Sequence, residues 1–324
     1  MKSVFAGLLS IATAMSATAF ASAAAAQTYP ARAISIVLGY PPGGGVDIPA
    51  RFIAARLGSL SGQTVIVLNK PGANGNIAAQ EVARAAPDGY TLMWAPSSVY
   101  SANMFLYKKL NYDARKDFTL VSTGSQYGFI LAVNPKSPAK TVAELTDLLK
   151  KKGEKAQYGS GSSTSMAVAE LYKSMTGLET LNVPYKTMQD TARELGNGVL
   201  DFMFIDAPFG MGQLAGGQIR ALAVTLPQRM PFATGIPTMD EAGVKGYELT
   251  GWMALAAPAK TPPDVVAKLR GWMKQIVEEP ETAKFLQTAA SVPFYLPPDK
   301  IDAYWDAQID KWRKLIELAK IEAQ

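Results

Sequence analysis

Residues 34–60 read ISIVLGYPPGGGVDIPARFIAARLGSL, and the change of period within this stretch points to the fold. Ile34, Ile36 and Leu38 sit among β-branched and small residues, as in a buried strand, whereas Ile53, Leu57 and Leu60 fall at i, i+4 and i+7 on one helical face. The run Tyr40-Pro41-Pro42-Gly43-Gly44-Gly45-Val46-Asp47 is therefore a strand-to-helix turn. Asp47 is expected to cap the helix and Pro49 to fit its first turn, while Gly43 to Gly45 let backbone amides approach a ligand. Free amides and the helix dipole favour an anion by about 0.3–1 kcal/mol, and by up to about 2 when partly buried. Glycine-rich turns of this kind also occur in α/β proteins that bind no anion, so the turn alone assigns no function.

The chain has 324 residues. Met1-Lys2-Ser3 precedes a charge-free run from Val4 to Ala26 that ends in small residues, the pattern of a secretory signal peptide over residues 1–26, with cleavage near Ala26/Gln27. No second apolar stretch of spanning length follows, which disfavours a membrane anchor and predicts an exported chain of about three hundred residues. The chain contains no Cys, so its stability must come from its core. The absence of His removes the Ser-His-Asp and Cys-His arrangements, His-ligated metals and the commonest general base. No metal or other cofactor is expected. The net charge of +5 is spread along the chain, and its one short cluster, Lys150-Lys151-Lys152, closes a predicted helix, so no nucleic-acid partner is expected.

In order, the spacing predicts strands at 34–40, 64–68 and 91–95, with helices at 48–60 and 75–86. Ser97 and Ser98 follow the third strand at its carboxyl end, where open parallel sheets meet their ligands. A strand at 129–133 and a helix opened by Thr141 and Glu144 begin the pattern again. The strand at 156–158 leads into Gly159-Ser160-Gly161-Ser162-Ser163-Thr164-Ser165, before Val168, Leu171, Tyr172 and Met175 mark a helix face. This loop is a counterpart of the first turn and could face it across a cleft; read blandly, it is a Ser-rich surface loop. Thr187 is expected to cap a further helix, and a strand at 199–205 ends at Asp206, which is either at the ligand or a cap. The strands at 220–225 and 249–257 follow, the second expected to return to the first domain. Thr261 is expected to cap a helix from 263, and Ile301, Trp305, Ile309, Trp312 and Ile316 form an apolar stripe read as core.

Several stretches together carry a resemblance: YPARAISIVLGYPPGGGVDIPAR (29–51), GQTVIVLNKPGANGNIAAQEVARAAPDGYTL (62–92), YDARKDF (112–118), NVPYK (182–186), GQIRALAVT (217–225), and PTMDEAGVKGYE (237–248) with Gly251-Trp252. The sequence resembles the periplasmic substrate-binding proteins of tripartite tricarboxylate transporters, the Bug receptors. The resemblance implies an α/β, two-domain periplasmic binding protein (type II), each domain a sheet flanked by helices, with the ligand cleft between them. The domains would be residues 27–125 plus 248–324, and 126–247. It also implies a binding protein, not an enzyme, that delivers a small organic carboxylate to a membrane transporter, and a monomer is expected. Carried over, the first turn supplies Tyr40, Pro41, Pro42, Gly43, Gly44, Gly45 and Asp47. The second loop supplies Gly161, Ser162, Ser163, Thr164 and Ser165, and the third region is marked by Tyr185 and Asp206. Ser97 and Ser98 are added on the strand-end argument. This chain departs from the family where His is common, at Met166, and where Gly is common, at Thr187. Met166 would set a polarizable apolar surface beside the ligand, and with Tyr40, Tyr100 and Tyr185 it leans the reading toward an aromatic mono- or dicarboxylate.

The glycine-containing loops hold no Lys or Arg, so neutral donors and dipoles are expected to hold the acid as the domains close over it. An alternative output is a ligand sensor that docks on a membrane receptor kinase. A periplasmic hydrolase is disfavoured: Ser137-Pro138-Ala139-Lys140 matches S-x-x-K, but prolines flank Ser137, no S-D-N exists and G-x-S-x-G is absent.

Overall fold

The turn at 40–46 joins the two elements its flanks predict. In the computed structural model, which describes residues 29–318 and 321–323, β1 (Ile34–Leu38) runs into α1 (Asp47–Ser61). Ile34, Ile36 and Leu38 are fully buried, and Ile53 and Leu57 are buried on the inner face of the helix, whereas Leu60, expected on the same face, is half-buried. The expected signal peptide, residues 1–26, lies outside the described residues.

The first sheet continues through β2 (Val65–Asn69), α2 (Asn76–Ala83) and β3 (Thr91–Pro96), then through the short helices α3 (Asn103–Leu106) and α4 (Ala114–Asp117) to β4 (Phe118–Tyr127). Gly128 alone separates β4 from β5 (Phe129–Val133), which belongs to the second sheet. That sheet is built from α5 (Val142–Lys152), β6 (Gln157–Ser160), α6 (Ser163–Thr176), β7 (Leu181–Pro184), α7 (Met188–Gly196), β8 (Phe202–Asp206), α8 (Ala207–Ala215) and β9 (Arg220–Val224). The chain then returns as β10 (Gly251–Pro258), followed by α9 (Pro263–Glu278), α10 (Pro280–Thr288), β11 (Val292–Pro293) and α11 (Pro298–Leu318).

The six-stranded sheet has the order β11-β4-β10-β3-β1-β2, and the five-stranded sheet β7-β6-β8-β5-β9. β1 is parallel to β2 and β3, and β6 is parallel to β7 and β8, so each sheet carries parallel strands whose carboxyl ends point one way. β10 enters the first sheet antiparallel between β3 and β4. The expected return of this strand is thus met.

Each sheet has its own aromatic core. In the first, Tyr100 stacks on Trp252 with centroids 6.0 Å apart and meets Trp305 edge-on at 6.1 Å, while Trp305 Nε1 donates to the Tyr100 carbonyl at 2.9 Å. The α11 stripe Ile301, Trp305, Ile309, Trp312 and Ile316 is buried throughout. In the second, Tyr158, Tyr172, Phe202 and Phe204 interlock, and Tyr247 stacks on Phe204. Ring pairs of this kind contribute about 0.5–1.5 kcal/mol each beyond the area they bury.

Some expectations need correction. Tyr100 lies wholly in the first core, where its hydroxyl donates toward the carbonyls of Met93 and Ala254 at 3.3 Å, so it cannot favour an aromatic ligand. Thr261 does not cap α9: its hydroxyl donates to the Pro258 carbonyl, and Pro262 stands at the cap. Met175 is exposed because α6 turns residues 163–169 inward instead. β4 and α8 have no counterpart in the predicted elements.

The two passages between the sheets run side by side and are tied by Thr225. Its Oγ1 accepts from the Phe129 amide at 2.9 Å and donates to the Leu249 carbonyl at 2.6 Å. Its own backbone groups bond to Phe129 and Leu249 as well. Thr225→Val keeps the shape and leaves a buried amide and a buried carbonyl without that partner, so urea unfolding should show a loss of about 1–3 kcal/mol. An unchanged midpoint would mean that the crossing does not depend on this hydroxyl.

Candidate functional site

A cavity of about 410 Å³ opens between the carboxyl ends of the two sheets. The first sheet contributes Gly39, Tyr40, Pro41 and Gly44 to Val46 from the β1–α1 turn, Pro71 to Asn74 from the connection after β2, and Ser98 after β3. From the second come Gly161 to Thr164, Lys186 to Gln189, and Asp206 with Phe209. Tyr127 and Phe129 line it where the chain crosses between the sheets. The starts of α1, α6, α7 and α8 therefore all meet this space, and a helix start carries amides without intrahelical acceptors and a positive dipole end.

Each start is shaped by a local sequence device. Ser162 and Ser165 form a reciprocal capping box at α6, each hydroxyl accepting from the other's amide at 3.1 Å. Ser165 is thereby turned away from the cavity, and the amides of Ser163 and Thr164 remain at its wall. Thr187 caps α7 by accepting from the Asp190 amide, and Asp206 caps α8 by accepting from the Phe209 amide, both at 3.1 Å. Gly161 is needed because a Cβ there would stand 2.6 Å from backbone atoms of Thr187 and Met188.

The first turn is held from behind. Asp47 is the first residue of α1 and not its cap; Val46 is the cap. The buried Asp47 carboxylate accepts from the Gly43 amide, Arg51 Nε and Asn69 Nδ2, each at 2.8 Å. Asn69 also donates to the Tyr40 carbonyl at 3.0 Å and accepts from Arg51 at 2.9 Å. Burial opposes the charge of Asp47, but Arg51, the Gly43 amide and Asn69 outweigh it and hold the carboxyl below its ordinary value.

Asn74 is the polar link across the cavity. Its backbone takes the left-handed conformation, with φ 50°, and Nδ2 donates to the Tyr107 hydroxyl oxygen at 2.5 Å and to Ser163 Oγ at 2.8 Å. The Asn74 carbonyl accepts from Tyr40 and Asn103, both at 3.3 Å. Close by, Gly45 passes so near α8 that a Cβ would stand 3.0 Å from Pro208 Cβ and 3.1 Å from Asp206 Oδ1. Burial pushes the Tyr40 hydroxyl well above its usual range against a hydrogen bond from Ser98, and burial likewise raises the Asp206 carboxyl.

Of the residues carried over, the cavity brings together Tyr40, Pro41, Gly44, Gly45, Gly161, Ser162, Ser163, Thr164 and Asp206, and Ser98, added on the strand-end argument, joins them. Met166 and Tyr185 instead line an adjoining cavity of about 390 Å³ that shares Asn74, Ser162, Ser163 and Lys186 with the first. Pro42 and Gly43 face solvent, Asp47 supports the turn, Ser97 is buried beside the Trp252 amide, and Ser165 serves the cap. Lys186 qualifies the expectation of neutral donors alone, since it reaches the wall from the β7–α7 connection. Asn74, Gln189, Phe209, Phe129, Tyr127 and Met253 also line the cavity without having been singled out. Asn74 stands in the NKPGANG turn, whose Asn and Gly residues signal left-handed backbone but not a side chain bridging two sheets. No group of three or more metal-ligating side chains occurs among the described residues, and no helix among them is long and apolar enough to cross a membrane.

Comparison with known proteins agrees with this architecture. The TctC family, described as tripartite tricarboxylate transporter family receptor, matches residues 49–321. The UPF0065 protein in the gbd 5′ region of Cupriavidus necator is 31% identical over 314 residues, covering 96% of this chain and 95% of its own. Among solved structures, R. palustris Rpa4515 with adipate superposes with a TM-score of 0.87 at 32% identity, covering 91% of this chain and 100% of that one. The periplasmic binding protein BugD gives a TM-score of 0.82 at 28% identity, again covering 91% and 100%.

If the Asp47 carboxylate organises the turn as a charged acceptor, Asp47→Asn should lower unfolding free energy at pH 7 by about 1–3 kcal/mol. A lowered folded-state pKa means that the stabilisation is complete above the ordinary carboxylate value, about 3.9, and lost as pH falls through the folded value. Denaturation from pH 7 to pH 3 should therefore show the gap between wild type and variant closing at the acid end. A gap that stays constant would deny the ionised form this role.

Proposed function

Because the chain belongs to the tripartite tricarboxylate transporter family receptors, which are binding proteins and not enzymes, we propose that it captures a small organic carboxylate in the periplasm and delivers it to a membrane transporter of that type. The observation that carries this reading is the convergence of four helix starts on one cavity between two sheets. A carboxylate at such amides gains hydrogen bonds and dipole attraction without needing a paired cation. The relative solved with adipate supports a small acid as the cargo class.

In this reading the domains are residues 27–125 with 248–324, and 126–247, the chain acts as a monomer, and the segment 1–26 directs export. Closure brings Gly45 against Asp206 and Asn74 against Ser163, shutting water out of the space between. The body of the ligand is apolar, and we favour an aromatic mono- or dicarboxylate. Support for that preference comes from Tyr40, Tyr127, Phe129, Phe209 and Met253 on the wall, and no longer from Met166 or Tyr100. Two carboxylate contacts and one buried ring suffice for micromolar affinity, about −8 kcal/mol, a strength that still permits release. The other output, docking on a receptor kinase, has no particular feature of the structure in its favour.

A thermal-shift panel of aliphatic, hydroxylated and aromatic carboxylates should raise the melting midpoint for one chemical group, because a ligand that binds only the folded form stabilises it by mass action. A response to amines or sugars and to no acid would overturn the carboxylate reading. Gly45→Val, whose side chain would meet Pro208 and Asp206, should weaken the best acid at least tenfold while the ligand-free midpoint moves only a few degrees. Undiminished affinity would show that binding does not require this approach of the two domains.

A further inference from the structure

Asp206 is a carboxyl group in the wall of a cavity assigned to an acid. Among the described residues lining that cavity it is the one carboxylate, and Lys186 is the one cationic side chain. Oδ1 accepts from the Phe209 amide and lies against Gly45, and the carboxylate keeps acceptor capacity beyond its backbone bonds. The charged and titratable groups around it come from each packed element: Tyr40 from the β1–α1 turn, Tyr127 from β4 and, on the same cavity, Lys186 before α7. The charge of Lys186 is felt by Asp190 on the first turn of α7. Only hydrogen bonds from the Phe209 and Asp206 amides favour the ionised form of Asp206, and burial opposes it.

A second carboxylate placed at this end would put two negative groups side by side in a site sheltered from water, which costs affinity unless one of them holds a proton. We propose that Asp206 selects acids that present a hydrogen-bond donor to the end of the cavity walled by Gly45 and Phe209: a hydroxyl, an amide or ring N–H, or the protonated carboxyl of a diacid. This rests on the carboxylate-binding reading above and narrows it. The ligand's ionised carboxylate then goes to the α6 and α7 starts, where Ser163, Thr164 and Lys186 stand. A diacid entering as its dianion takes up one proton from solvent, shared between its distal carboxyl and Asp206. Its affinity must therefore fall with rising pH, by up to about tenfold per unit, whereas an amide or alcohol of the same length needs no such proton.

The test is calorimetry on the purified chain with two matched pairs, adipate against adipamate and terephthalate against terephthalamate, so that an aliphatic or an aromatic body is covered. In the wild type at pH 8 the monoamide of the accepted pair should bind at least tenfold more tightly than its diacid, and the gap should narrow at pH 6. Asp206→Asn keeps an acceptor for the Phe209 amide and removes the charge. In that variant the diacid should gain affinity at pH 8 and lose its pH dependence. Asp206→Ser, which can also cap α8, should behave likewise for the diacid while losing the preference for the amide. A wild-type chain that binds diacid and monoamide equally at pH 8, with no dependence on pH, would overturn the proposal and leave carboxylate binding intact. Binding of none of the four acids, with adipamide or terephthalamide bound instead, would overturn the carboxylate reading itself.

Discussion

The Asp47 carboxylate fixes the first wall of the cavity without lining it. It is buried, and it ties the Gly43 amide, Arg51 and Asn69 into one knot behind the turn. A glycine turn left to itself samples many conformations, and its amides could not stand ready for a ligand. Here the loss of freedom is offset by three charge-assisted bonds made on folding, before any ligand arrives. The same knot holds the Tyr40 carbonyl through Asn69, so the aromatic wall and the amide wall are set by one group.

Across the cavity the second domain is prepared by simpler means. Ser162 and Thr187 at the end of a connection, and Asp206 at the end of β8, each begin a helix by accepting from an amide one turn on. At the cavity Gly45 stands against α8 and Asn74 against Ser163, away from it α6 packs on α11 and on residues 98–102, and the two sides are joined by the crossing at Gly128 and Thr225. Polar bonds across a cleft exchange readily with water, with a net value of about 0.5–1.5 kcal/mol each. Bonds of that size at the cavity can be broken and remade at little cost.

The sequence made the strand-turn-helix units plain because each announces itself by a change of period, and some by a cap residue as well. Whereas the capping box of Ser162 and Ser165 was read only as a ligand loop, Thr141 and Thr187 lie where their spacing to residues 144 and 190 puts them. The α11 stripe was legible for the same reason. What stayed hidden depends on partners distant in the chain. β4 is mixed in polarity, with Ser122, Thr123 and Ser125 buried, because it pairs with β10 and β11 and makes no amphipathic pattern of its own. α8 was missed since AlaProPheGlyMetGly reads as a breaker sequence until Asp206 is seen to cap it. Tyr100 and Asn74 show the limit for side chains: strand-end position suggested a cleft for the first, which is core, and turn composition suggested only backbone for the second, which bridges the cavity.

β10 sits in the middle of the first sheet, between β3 and β4, although it follows the whole of the second sheet in the chain. Until Gly251–Pro258 is available, β3 and β4 have no common neighbour, and each exposes an unpaired edge to pairing with other chains. The strands of the second sheet all fall between Phe129 and Val224, so it can close on contacts of its own. Order of assembly is thus written into the topology: the inserted domain can form early, while the domain that contains the amino-terminal strands must wait for distant contacts. The first half of the chain therefore cannot lock until its last third is available to pair with it.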